Sequence, residues 1–183
     1  MRIIRGSLGG RRISPPRGTD IRPTTDMARE ALFSILDNRL DLESVRALDL
    51  FAGTGAVSFE LISRGCPAVT AIEQNPAAVN GIYKLIADWQ VSGLTIIRTD
   101  VFRYLNKPPQ NAFSLVFADP PYKNPHVSLL PSLVMGSGIL TSDGIFVLEH
   151  PHGYEFAHEP GYHETRRYGN VHFSFFQKEN VSE

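Results

Sequence analysis

Residues 48–60, LDLFAGTGAVSFE, run from an apolar stretch through a glycine-bearing turn into a helical pattern. Glycine lets the backbone turn sharply and approach a ligand closely, so this stretch reads as strand, tight turn and helix. The strand covers 46–51 and the helix is closed by Gly65. The same alternation repeats downstream. Apolar strands are expected at 68–73 (AVTAIE), 94–100 (LTIIRTD), 112–119 (AFSLVFAD) and 144–150 (GIFVLEH). Helices are expected at 75–90, over VFRYL and at 125–135. Strands that are apolar throughout, alternating with helices, imply an α/β fold with a parallel sheet covered on both faces. YHETRRYGN and VHFSFFQK then read as an antiparallel hairpin turning at Gly169-Asn170.

Upstream, Met27, Ala28, Ala31, Leu32, Ile35 and Leu36 recur at helical spacing and predict a helix over 26–40. Residues 2–14 read as a short N-terminal β-hairpin, RIIRG and RRIS, joined around Gly9-Gly10. Three prolines and a glycine make 15–25 an irregular loop. The domain division expected is an arginine-rich extension and loop, 1–25, ahead of the α/β domain, 26–183.

With 183 residues, 42% hydrophobic and 20% charged, the chain suits one soluble domain. Its single cysteine, Cys66, excludes an internal disulfide framework and fits a reducing cytoplasm. Neither a signal-peptide pattern nor a long apolar run is present, so no membrane association is expected and the protein reads as cytoplasmic. The net charge of −1 conceals an asymmetry. Arg2, Arg5, Arg11, Arg12, Arg17 and Arg22 face one acid, Asp20, in the first 22 residues, giving +5, while the remainder carries −6. Cations gathered at one end suit a polyanion.

Asp49, Gly53 and Gly55 lie at the end of the first parallel strand, and Glu73 ends the next, twenty residues after Gly53. In open α/β sheets ligands lie beyond the carboxyl ends of the strands, and an acid at that place accepts from ribose hydroxyls. Two cofactors fit, a dinucleotide or S-adenosyl-L-methionine (AdoMet). Ser58 stands where the dinucleotide fingerprint has its third glycine, the one that seats a pyrophosphate on the helix. AdoMet has no pyrophosphate, which favours it. Asp100, after the third strand, is placed to accept from an adenine amino group.

The fourth strand ends in Asp119-Pro120-Pro121-Tyr122. Proline has no N–H to offer a sheet and fixes the backbone, so the strand stops in a stiff turn facing the same crevice. An exocyclic amine on a purine is a poor nucleophile because its lone pair is conjugated. A fixed carboxylate and a fixed backbone carbonyl can accept its two hydrogens and aim the lone pair at a methyl donor. Tyr122 offers a ring on which a flipped base stacks.

At these residues the chain resembles the RsmD family, bacterial methyltransferases acting on guanine N2 of 16S ribosomal RNA. The resemblance is carried by RIIRGSLGGRRI, RPTTDMAREALF, LDLFAGTGAVSFELISRG, AIEQN, DPPY and RRYGNVHFSFF, in that order. It implies a Rossmann-like AdoMet fold with a seven-stranded sheet and an N-terminal RNA-contacting extension. On this chain Asp49, Phe51, Gly53, Thr54 and Gly55 would hold the methionine part. Glu73 and Gln74 would take the ribose, and Asp100 and Val101 the adenine. Thr24 or Thr25 would close over the cofactor, and Asp119 to Tyr122 would receive the base. RNA phosphates would meet Arg2, Arg5, Arg11, Arg12, Arg22, Arg166 and Arg167. Arg29 reads either as a further phosphate contact or as an ordinary exposed helix arginine. The implied partner is 16S rRNA or the small ribosomal subunit, approached by a monomer.

Other chemistry is less well supported by the sequence. His150 and His152 flank no zinc-type spacing, so no metal is expected. Cys66 reads as a small buried residue, and Trp89, Phe173, Phe175 and Phe176 as core. Within the same class, adenine N6 or a protein glutamine amide stays open as the acceptor, although those families often carry Asn where Asp119 stands. From other classes, a dinucleotide-dependent oxidoreductase leaves the rigid turn unexplained, and a non-catalytic RNA-binding protein has no need of it.

Overall fold

The computed structural model describes residues 1–14, 26–110, 112–122 and 124–178. Thr24, Thr25, Arg17, Asp20 and Arg22 lie outside these. In chain order come α1 (Asp26–Arg39), β1 (Arg46–Leu50), α2 (Ala56–Ser63), β2 (Ala68–Glu73), α3 (Pro76–Trp89), β3 (Leu94–Arg98) and α4 (Val101–Leu105). β4 (Phe113–Ala118), α5 (Leu130–Gly136), β5 (Leu140–His150), β6 (Tyr162–Tyr168) and β7 (Val171–Gln177) follow. The seven strands form one sheet in the order β3-β2-β1-β4-β5-β7-β6. β7 pairs antiparallel with both β5 and β6, and the other pairs are parallel. The expected architecture is therefore present, and the strand order reverses between β1 and β4.

Period-two alternation sorts the strand residues onto two faces. Ala47, Leu115, Phe117, Val147, Phe173 and Phe175 pack on one face with Leu32, Phe33 and Leu36 of α1. Leu48, Leu50, Val116, Ala118, Phe146 and Leu148 pack on the other with Val101 and Leu105 of α4 and Leu130 and Val134 of α5. The three phenylalanines of β7 expected in the core are buried, as is Cys66, and Trp89 packs half-buried against Phe59. Since α1 ends at Arg39 and only 40–45 separate it from the start of β1, it runs back along the sheet. Its first turn lies at the carboxyl ends of the parallel strands.

The N-terminal hairpin is present but short: Arg2 and Arg12 form a single antiparallel bridge, flanked by Ile3 N–H donating to Arg11 O and Ile13 N–H to Met1 O, each at 2.9 Å. Its turn is held by α2, where Ser7 N–H donates to the carbonyl of Ser63 at 2.8 Å. Gly6, at φ 82°, presses so close that a Cβ there would stand 1.7 Å from Ser63 O. Ile3, Leu8 and Ile13 are buried with Ala56 and Phe59 of α2, Ile82 of α3 and Ile96 of β3. Full burial of such side chains stabilises by roughly 1.5–3 kcal/mol each, so the segment is docked rather than loose. Two smaller differences occur. The helix expected at 125–135 opens as a 3₁₀ turn, Val127–Leu129, before α5. β5 begins four residues early, at Leu140, with an irregular register against β4.

Candidate active site

The glycine loop leaves β1 through Phe51, a non-glycine residue at φ 65°, with Gly53 and Gly55 at 55° and 78°. Bulky side chains rarely adopt this left-handed region. The loop holds it because its neighbours fix it: Ala52 N–H donates to Ile72 O at 2.9 Å and Gly55 N–H to Ala52 O at 2.7 Å. Glu73 adds a side-chain tie. Its Oε2 accepts from Gly53 N–H and its Oε1 from Asn75 N–H, each at 2.7 Å. Each carboxylate oxygen has a second lone pair, so Glu73 can set the loop and still accept from ribose hydroxyls.

Asp49 sits one strand position before the last residue of β1 and is 1% exposed. Ser58 Oγ donates to its Oδ2 at 2.5 Å. Burial pushes the Asp49 carboxyl up to about 7, the Ser58 bond opposes that rise, and the neighbouring Glu73 charge adds to it. The residue replacing the third fingerprint glycine is thus the partner of this buried acid. Gly55 sits at φ 78°, which strains any side chain, and a Cβ there would also crowd the Ile82 and Phe59 side chains at 3.1 Å. Thr54 is buried with its hydroxyl toward Met1 Sδ at 4.0 Å, and Gln74 is exposed. Asp100 caps α4, its Oδ1 accepting from Arg103 N–H at 2.9 Å. That leaves Oδ2 for an adenine amine, with Val101 buried behind.

Because Leu50 of β1 pairs with Ala118 of β4, the glycine loop and the proline turn leave neighbouring strands at the same level. Asp119 is half-buried, Pro120 buried, and Pro121 and Tyr122 exposed. Asn124 N–H donates to Pro121 O at 2.8 Å, and Asn124 Oδ1 accepts from His126 N–H at 2.9 Å. The second proline's carbonyl therefore closes the turn, and the first is the one carried at the strand end. An aromatic wall joins the two loops: Phe51 meets Phe102 edge-on at 6.3 Å, and Phe102 meets His126 at 5.5 Å. Phe102 and His126 were not singled out in the sequence, where neither carries a motif.

The arginines divide. Arg2, Arg5, Arg11, Arg12, Arg166 and Arg167 are exposed. The Arg11 guanidinium lies 5.3 Å from the Trp89 ring centroid, and Arg166 pairs with Glu164 at 2.7 Å. Arg29 corrects one of its two readings: it is 1% exposed, so it is not an ordinary exposed helix arginine. Two residues that sequence reasoning missed hold the N-terminal segment. Glu60, fully buried in α2, accepts from Ile4 N–H at 2.6 Å, Arg5 N–H at 3.1 Å and Arg64 Nε at 2.8 Å. Ser63 Oγ accepts from Leu8 N–H at 2.9 Å and donates to Arg5 O. The available signal was a charged residue inside an apolar helix, four positions before Arg64. Among the described residues no group of three or more possible metal ligands occurs, and no helix is long and apolar enough to cross a membrane.

Asp49, Glu73 and Asp100 line a crevice at the reversal of strand order, the place where open α/β sheets bind ligands. The fold is that of the Rossmann-like AdoMet-dependent methyltransferases. The family model described as Conserved hypothetical protein 95 matches residues 1–177. The chain belongs to that family, the RsmD-type methyltransferases. Ribosomal RNA small subunit methyltransferase D of Escherichia coli (strain K12) is 30% identical over 151 residues, which cover 81% of this chain and 74% of that one. YlbH of Bacillus subtilis (strain 168) is 31% identical over 164 residues, 88% of each. Among solved structures, the hypothetical protein TTHA0928 of Thermus thermophilus matches with a TM-score of 0.84 at 26% identity, over 97% of this chain and 99% of its own.

Proposed function

We propose that this protein transfers the methyl group of AdoMet to the exocyclic N2 of a guanine in 16S ribosomal RNA. The observation that carries the reading is the register of Leu50 with Ala118, which sets an AdoMet-type glycine loop beside a rigid acid–proline turn. The name of the E. coli relative points to the same substrate.

AdoMet, when bound, supplies a sulfonium-activated methyl that needs neither a metal nor a protein nucleophile. Asp49 faces its ammonium, Glu73 and Gln74 its ribose, and Asp100 and Val101 its adenine, with Phe51, Gly53, Thr54 and Gly55 forming the floor. The Asp119 carboxylate and the Pro120 carbonyl accept the two hydrogens of the guanine amine, favouring a pyramidal nitrogen with its lone pair directed into the crevice. Fixed acceptors cost no reorganisation during reaction. Tyr122, exposed on the turn, stacks on the base at about 1–3 kcal/mol. Thr24 or Thr25, outside the described residues, is assigned to closing over the cofactor. The exposed arginines of the N-terminal segment, with Arg22, Arg166 and Arg167, meet phosphates. The protein works in the cytoplasm as a monomer.

Mass-spectrometric mapping of 16S rRNA from cells lacking the protein tests the reading. One guanine should lose its N2 methyl and regain it on re-expression. A fully methylated rRNA would refute the substrate, and stabilisation by NAD but not AdoMet would refute the class.

A further inference from the structure

Three imidazoles and a guanidinium meet in the antiparallel half of the sheet, outside the site described above. His172 of β7 pairs with His150 of β5 on one side and with Arg167 of β6 on the other. Residues directly opposite in an antiparallel pair share a face, so these three side chains stand on one side of the sheet. The His172 ring lies 5.6 Å from that of His150 and 5.8 Å from that of His152, in the loop that leaves β5. His150 fixes this loop. It is 1% exposed, its Nδ1–H donates to Pro151 O at 2.9 Å, and its Nε2 accepts from Ser174 Oγ at 2.7 Å. Its ring meets Tyr154 and Phe156 edge-on, at 5.9 and 4.9 Å. His152 and Arg167 are the exposed members of the cluster, and His172 is the covered one between β5 and β6.

The cluster gathers positive charge. Burial lowers the His172 imidazole, and the charges of Arg167 and His152 lower it further. Arg166 makes the contrast: it pairs with Phe173 on the face that α1 covers, where Glu164 meets it at 2.7 Å. Position selects the ligand. Ala118 of β4 pairs with Leu148 of β5, and β5 runs two residues further, to His150. The cluster therefore stands on the same rim of the sheet as the Asp119–Tyr122 turn. Neighbouring strands lie about 4.8 Å apart, so β7 is about 10 Å and β6 about 15 Å from β4. The backbone of a nucleotide whose base sits at that turn, with its neighbours, covers this span. We propose that Arg167 and His152, backed by His172, form a phosphate site for the RNA strand flanking the target guanine. The guanidinium offers paired donors to phosphate oxygens and the imidazole one more, and the His150 bonds hold the loop that presents His152. This site rests on the rRNA reading above and deepens it, fixing where the strand beside the flipped base runs.

The test places one uncharged methylphosphonate linkage at a time on either side of the target guanine in a 16S rRNA fragment. Binding to the full chain is measured by calorimetric titration. In the wild type one such linkage should cost about tenfold in affinity, the scale of a charged hydrogen bond. Arg167→Gln should bind the unmodified fragment about tenfold more weakly, and the same linkage should then cost nothing. His152→Gln should remove part of that linkage's cost. Arg98→Gln takes an exposed cation from the opposite edge of the sheet and should leave the cost whole. AdoMet affinity and melting temperature should stay at wild-type values in Arg167→Gln and His152→Gln. Should Arg167→Gln fail to fold, His152→Gln carries the comparison. Absence of a sensitive linkage in the wild type overturns the proposal, and so does a linkage whose cost survives both substitutions. A cost that Arg98→Gln also abolishes overturns it in favour of bulk charge. Failure of the wild type to bind the unmodified fragment is a different result, because it removes the rRNA reading itself.

Discussion

Ser58 Oγ donates a 2.5 Å hydrogen bond to Asp49 Oδ2, joining the first turn of α2 to the end of β1 beneath the glycine loop. The serine that breaks the dinucleotide fingerprint thereby becomes part of the site. It stabilises the ionised form of an acid whose burial opposes ionisation.

That opposition has a measurable sign. Asp49 is raised in the folded protein from an ordinary 3.8 to about 7, so between those values the native state holds a proton that the unfolded chain has lost. Stability therefore falls as pH rises through this window and levels above it. Asp49→Asn should flatten the fall and raise the unliganded melting temperature at pH 8, as followed by calorimetry. AdoMet affinity in the wild type should rise across the same window as the carboxylate ionises to meet the ammonium. The Asn variant should lose most of that affinity at pH 8.

His150 acts in the opposite direction. Burial lowers it from 6.5 to about 4. Its Nε2 accepts from Ser174 Oγ at 2.7 Å while Nδ1–H donates to Pro151 O at 2.9 Å, consistent with a neutral ring. The unfolded chain takes up a proton between about 4 and 6.5 that the native state refuses, so stability falls as pH drops through that range. Over it, His150 and Asp49 oppose each other. In Asp49→Asn the His150 dependence should stand uncovered, with the melting temperature rising from pH 4.5 to 6.5. A flat profile in that variant would contradict the buried, neutral assignment.

Glu60 predicts how the N-terminal segment depends on α2. Its carboxylate accepts two backbone N–H groups from residues 56 and 55 positions away in sequence, and it also pairs with Arg64. Glu60→Ala leaves those part-buried donors unmatched and Arg64 to Asp37 alone, and should cost about 1–3 kcal/mol. Glu60→Gln keeps one acceptor and should cost less. The readout is urea unfolding, with proteolysis near residues 1–14 reporting release of the segment. Gly6→Ala should release the same segment by a steric route, since its Cβ would collide with Ser63 O.

What is legible in the sequence depends on where each residue's partner sits. The alternation of β1, β4 and β5, and the stop at Pro120-Pro121, are local facts of side-chain period and backbone chemistry, so they are legible. Asp49, Glu73 and Asp119 sit at strand ends, where the fold rule places ligands. Glu60, Ser63 and the burial of Arg29 are not legible, because their partners are backbone atoms and residues brought together only by docking of the N-terminal segment. Ile3 and Ile13 read as strand residues, and both do pair across the short hairpin. Their apolarity is local, but its use against α2 and α3 is tertiary.

The exposed cations of that segment predict a salt dependence. If Arg11 and Arg12 each neutralise one phosphate, log affinity for an rRNA fragment should fall with log salt, and each Arg→Ala change should reduce the slope by about 0.7–0.9. Arg11 lies over Trp89, so its loss should also disturb packing slightly, while Arg12→Ala should act through charge alone. An unchanged slope in the double variant would take this face out of the RNA interface.

Asp119 gives the sharpest separation of binding from chemistry. It is half-buried at the end of β4, one register step beyond the Leu50–Ala118 pair, and its proposed partner is the reacting amine rather than the cofactor. Asp119→Ala should therefore lower kcat by about 10²–10³-fold, the loss expected on removing one preorganised polar group. AdoMet affinity should stay within about twofold of wild type, on the scale where tenfold is 1.4 kcal/mol. Asp119→Asn keeps one oxygen acceptor but loses the charge, and its kcat should fall between those of Asp119→Ala and wild type. Single-turnover methyl transfer to 16S rRNA, with calorimetry for AdoMet, measures both quantities. A parallel loss of cofactor affinity would move Asp119 from the base side of the crevice to the cofactor side.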